Sequence, residues 1–97
     1  MATMFVYSSF NQPINNWDVS NVINMQSMFY GNYQFNQDII QWDVSNVTDM
    51  YAMFHQAYSF NQDLSNWPVE NVTICGAFSY DTPQWTLPQP NFTNCNP

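Results

Sequence analysis

The sequence predicts a short right-handed β-solenoid of about three coils, and three observations carry that reading. Phe-Asn-Gln opens at Phe10, Phe35 and Phe60, 25 residues apart. Trp17, Trp42 and Trp67 keep the same period, as do Val22, Val47 and Val72. Met25 and Met50 keep it too, and Cys75 takes the third slot. A fixed period of roughly 20 to 50 residues marks a stack in which each unit buries its apolar face only against its neighbours. The Phe, Trp, Val and Met positions are therefore the expected core ladders.

Residues 1–80 divide into a partial unit (1–9) and three units (10–34, 35–59 and 60–80), followed by a tail (81–97). Met1, Met4 and Phe5 match Met25, Met28 and Phe29, so the chain opens in the middle of a unit. This first copy is one residue shorter, because Met4 to Phe10 is six steps where Met28 to Phe35 is seven. Met1, Met4 and Phe5 are then an apolar end-stacking face, where most stacks place a polar cap. Either missing units of a longer chain or another subunit is expected to cover it.

Within each unit, Trp42-Asp43-Val44 alternates apolar and polar residues and reads as a short strand, pairing in parallel with its copies at Trp17 and Trp67. Val47, Met50, Met53 and Phe54 follow at three- and four-residue spacing, which predicts a helical or 3₁₀ turn on the opposite wall. The Phe-Asn-Gln segment is the return loop, its Phe pointing inward. In the last unit Pro68 replaces Asp18 and Asp43, which suits an edge. Past Asp81 the period is gone, and Pro83, Pro88, Pro90 and Pro97 describe an extended segment.

Composition narrows function. There are seven acidic residues and no Lys or Arg. A chain with no fixed cation cannot neutralise phosphates, which argues against nucleic acid and anionic membrane surfaces as partners. No apolar run approaches the roughly 20 residues that span a bilayer. The N-terminus lacks a basic n-region and does not read as an intact signal peptide. Two cysteines suit one disulfide and an oxidising compartment.

Phe35-Asn36-Gln37-Asp38-Ile39, then Trp42-Asp43-Val44-Ser45-Asn46-Val47-Thr48-Asp49-Met50, then Met53-Phe54, resembles the short leucine-rich-like repeat of BspA-like surface proteins and mycoplasma lipoproteins. The likeness covers about residues 1 to 80. It implies a leucine-rich-repeat-like solenoid on a cell or particle surface, with adhesion or interaction roles and no catalytic residues. It implies nothing for the proline-rich tail, and the absence of Lys and Arg departs from the family.

Four constellations bear on function. Cys75 sits in the Met25/Met50 slot and Cys95 in the tail; a bridge between them would strap the tail over the last coil. A buried free thiol with a separate tail thiol is the alternative. Asn46, Asn71 and Asn91 each open an Asn-x-Thr sequon and are candidate glycosylation sites. Asn46 and Asn71 are equally readable as turn-bonding residues, and Asn-Val-Thr is common in the family this resembles. Asp18 stacks over Asp43, and Asp38 over Asp63; hydrated surface is preferred to a bridging Ca²⁺, and no cofactor or metal is assigned. His55 stands alone, without a nucleophile or acid at matching positions, so no catalytic set is assigned. The expected function is a non-catalytic extracellular structural module that self-associates head to tail, as in a filament or surface layer. The alternative is an adhesion or ligand-binding domain of a larger cell-surface or virion-surface protein, recognising surface proteins or glycans.

Overall fold

A computed structural model describes residues 1–97. The run Met25-Gln26-Ser27-Met28-Phe29-Tyr30-Gly31 folds as overlapping turns. The N–H of Met28 donates to the Met25 carbonyl at 3.3 Å, Tyr30 to Ser27 at 3.2 Å, and Asn32 to Phe29 at 3.0 Å. Ser27 (φ 53°) and Gly31 (φ 67°) are left-handed. A positive φ at the third residue of a four-residue turn is the type II geometry. The same conformation recurs at Ala52 and Gln56, at Ala77 and Asp81, and at Thr3 and Tyr7.

This alternation points every second N–H towards the following unit. Met25, Ser27, Phe29 and Gly31 donate to the carbonyls of Asp49, Tyr51, Met53 and His55 at 2.8–2.9 Å. Met50, Ala52, Phe54 and Gln56 repeat the pattern onto Ile74, Gly76, Phe78 and Tyr80, also at 2.8–2.9 Å. Thr3, Phe5 and Tyr7 donate to Gln26, Met28 and Tyr30. The first row spans 23 residues where the others span 24, so the short first copy is accommodated as a one-residue shift of register.

The β-solenoid of parallel strands with helical or 3₁₀ turns is not what forms. There is no helix and no strand, and the only β features are two isolated parallel bridges, Asn24 to Asp49 and Asp49 to Ile74. Two physical reasons account for the difference. Left-handed residues twice per unit interrupt the extended backbone that a strand requires. At the Trp segments, local turns consume the backbone: Trp42 donates to Ile39, Val47 to Val44, and the Asp43 carboxylate accepts the Ser45 N–H. Side chains replace the backbone ladder there. The Trp42 indole donates to the Ile14 carbonyl and the Trp67 indole to that of Ile39, both at 3.1 Å. Asn46 and Asn71 donate to the carbonyls of Ser20 and Ser45 at 2.7 and 2.8 Å.

The core lies between these walls. Phe29, Phe54, Phe35 and Phe60 are fully buried, as are Met25, Met50, Val47 and Val72. Phe29 stacks on Phe54 at 5.4 Å and Phe35 on Phe60 at 5.8 Å between ring centres, so one aromatic column crosses the units. Trp42 and Trp67 are buried and stacked at 6.5 Å. The ladder thins towards the N-terminus, where Phe10 and Val22 are half-buried and Trp17 is 40% exposed.

Candidate functional site

The two ends of the stack are unlike. At the C-terminal end the tail supplies the bonds a further unit would make. Trp85 donates its indole N–H to the Gln62 carbonyl at 3.0 Å, as Trp42 and Trp67 do to the units before them. The N–H groups of Thr86 and Leu87 donate to Asn61 Oδ1 at 2.9 and 3.0 Å, extending a ladder in which Asn36 donates to Asn11 Oδ1 and Asn61 to Asn36 Oδ1. Asn94 donates to the Glu70 carbonyl, as Asn71 does to Ser45. The Cys75–Cys95 disulfide closes the strap, with the Cα atoms 5.9 Å apart, and Phe92 packs edge-on against Phe78 at 4.9 Å.

Within residues 1–97, no segment makes the corresponding bonds at the N-terminal end. Met1 and Phe5 are half-buried, Met4 is 50% exposed, and the Trp17 ring has Phe5 as its one aromatic neighbour, at 6.1 Å between ring centres. The Trp17 indole, the Gln12 amide and the Asn21 amide make none of the bonds that their copies Trp42, Gln37 and Asn46 make to the preceding unit. The carbonyls of Met4 and Val6 accept no bond, and that of Ala2 takes only the Thr3 hydroxyl. Met1 and Phe5 pack against the core while Met4 is exposed, and the polar groups around them were not foreseen from the sequence.

A second feature lies along the turn wall. Tyr7 meets Tyr30 edge-on at 5.5 Å, Tyr30 meets His55 at 4.4 Å, and His55 meets Tyr80 at 5.0 Å. Beside them Tyr33 and Tyr58 stack at 4.6 Å. The hydrogen bond with Tyr7, followed by burial, raises the Tyr30 phenol above its ordinary range. Burial, then the charge of Asp81, raises Tyr58. The 25-residue spacing of Tyr30, His55 and Tyr80, and of Tyr33 and Tyr58, was available in the sequence; that both rows lie on the turn wall was not.

The acidic residues are occupied locally. Asp18, Asp43 and Asp63 each accept the N–H two residues on, from Ser20, Ser45 and Ser65, in turns that Asp favours. The serine side chain first, and then that N–H, holds each carboxyl below the usual carboxylate range. No group of three or more His, Cys, Asp or Glu is placed to hold a metal ion, and no pocket indents the surface. No helix is long and apolar enough to cross a membrane. Of the sequon residues, Asn46 and Asn71 spend the side-chain nitrogen that glycan would modify on inter-unit bonds, while Asn91 is exposed and makes none.

A family model described as "Mycoplasma protein of unknown function, DUF285" matches residues 1–89. The chain belongs to this family. No curated protein and no solved structure matches it. The DUF285 match takes in Trp85 and ends before Phe92 and Cys95, so the disulfide-tied end of the tail lies beyond it.

Proposed function

We propose that this DUF285 chain is a non-catalytic extracellular structural protein of the BspA-like surface kind, which self-associates through the end of its stack. The observation that carries this is the asymmetry of the two ends. One is closed by a tail that reproduces the bonds of a further unit. The other presents apolar side chains together with unpaired donors and acceptors. An exposed row of backbone groups is a template for another chain, and an apolar patch rimmed by polar groups is the usual composition of an interaction surface. The disulfide supports an oxidising, extracellular setting. Light scattering of the chain across a hundredfold range of concentration tests the reading. Association that grows with concentration is expected, and a monomer throughout contradicts it.

The tyrosine wall favours a second reading, an adhesion module. Tyr7 and Tyr80 are each 66% exposed and Tyr33 and Tyr51 also face solvent, in a chain with no Lys or Arg. Aromatic faces beside carboxylates suit a cationic ligand. Binding of a lysine-rich peptide that Tyr33→Ala and Tyr80→Ala both weaken supports this reading; binding indifferent to both refutes it.

A further inference from the structure

We propose that Tyr33 and Tyr58 are a site of oxidative phenol coupling, joined as a dityrosine that staples one unit to the next, with hydrogen peroxide and a peroxidase as the oxidising system. Three observations on this molecule lead there, and none depends on how the chain associates. The first is geometry. The two rings stack with their centres 4.6 Å apart and their planes within 7°. Phenols couple through the carbons ortho to the oxygen, and parallel rings laid one over the other bring those carbons face to face. Tyr7 and Tyr30 meet at 75° instead, and His55 stands between Tyr30 and Tyr80. The backbone under the stacked pair is tied as well: the Ser59 hydroxyl, next in the chain to Tyr58, donates to the Tyr33 carbonyl at 2.6 Å.

The second is access. Tyr33 is 47% exposed and Tyr58 is half-buried against it, with no pocket to shield either ring. An electron can therefore leave at the surface while the partner ring is already in place.

The third is the chemistry this chain has to hand. Isopeptide bonds and lysine-aldehyde cross-links need Lys, and there is none. Both cysteines are taken by the Cys75–Cys95 bridge, which fastens the tail to the last unit. Tyr33 lies in the unit 10–34 and Tyr58 in the unit 35–59, the two units that the disulfide does not reach.

The step balances without any group from the protein beyond the two side chains. Each phenol gives up one electron and its phenolic proton, and a C–C bond forms between the ortho carbons. The hydrogens on those carbons then pass to the two oxygens and restore the phenols. Hydrogen peroxide takes up the two electrons and two protons and leaves as two waters.

Treatment of the full, disulfide-bonded chain in dilute solution with a haem peroxidase and hydrogen peroxide tests this. Digestion on the N-terminal side of Asp then separates residues 18–37 from 49–62. The expected result is an intact chain still near 11.4 kDa, with dityrosine fluorescence. Those two fragments are recovered joined, two hydrogens lighter than their sum, with the link at Tyr33 and Tyr58. Tyr33→Phe and Tyr58→Phe are each expected to abolish the joined fragment, while Tyr51→Phe and Tyr80→Phe leave its yield unchanged. Circular dichroism matching the parent chain establishes that each variant is folded. No dityrosine, a link at Tyr30 or Tyr51, or links formed only between chains would overturn the assignment. So would a joined fragment that survives Tyr33→Phe or Tyr58→Phe.

Discussion

Gln56 holds φ at 59°, and Gly31, its counterpart in the unit before, holds 67°. A side chain in the left-handed region costs about 1–2 kcal/mol, so each non-glycine residue there stores strain that the inter-unit bonds offset. Gln56→Gly removes that strain at a cost of about 0.5–1 kcal/mol in unfolded-state freedom. It should stabilise the protein by about 0.5 kcal/mol, read as a higher denaturant midpoint. Gly31→Ala should do the reverse, by about 1–2 kcal/mol, because its Cβ would stand 2.5 Å from Tyr7 Cδ1 as well as at positive φ. The carboxylates give a prediction in pH. Asp18, Asp43 and Asp63 titrate below their unfolded range. Their contribution is therefore present above about pH 4 and is lost as pH falls through the folded values. Ser65→Ala should return Asp63 towards the ordinary carboxylate range in an NMR titration and flatten the acid limb of the stability curve.

At the level of elements, the Trp segments are joined by side chains, so their chemistry and not their β-propensity decides stability. Trp67→Phe keeps most of the ring packing but leaves the Ile39 carbonyl without its indole donor. A loss of about 1–2 kcal/mol is expected in chemical denaturation. Replacing Cys75 and Cys95 together by Ser should cost about 3 kcal/mol for a closed loop of this size, and the tail should then lose amide-exchange protection at Thr86 and Leu87 before the remainder of the molecule does. The repeat, the buried Phe and Trp positions and the cysteine slot were legible in the sequence, because burial copies itself every 25 residues. The backbone was not. Ser27, Ala52, Gln56 and Ala77 carry no glycine or asparagine signal for a left-handed turn, and the apolar alternation at Trp42-Asp43-Val44 read as a strand although turns at Ile39–Trp42 and Val44–Val47 flank it. Trp85 was missed for another reason: it does the work of the Trp ladder from a position out of phase with the period.

The whole molecule measures only 29 × 26 × 22 Å, so its two ends make up a large share of its surface and what covers them matters. The match of Met1, Met4 and Phe5 to Met25, Met28 and Phe29 could be read from the repeat; the Trp17, Gln12 and Asn21 side chains beside them could not, since their roles appear only when the copies one unit on are seen bonded. Trp17 also offers the most direct test. Of the four tryptophans, Trp42, Trp67 and Trp85 are buried, and Trp17 alone is open to solvent. Acrylamide quenching of tryptophan fluorescence, followed from dilute to concentrated protein, therefore watches the proposed contact itself. An accessible fraction of emission in dilute solution that disappears as the chain associates is the expected result. Association that leaves Trp17 equally quenchable would contradict it.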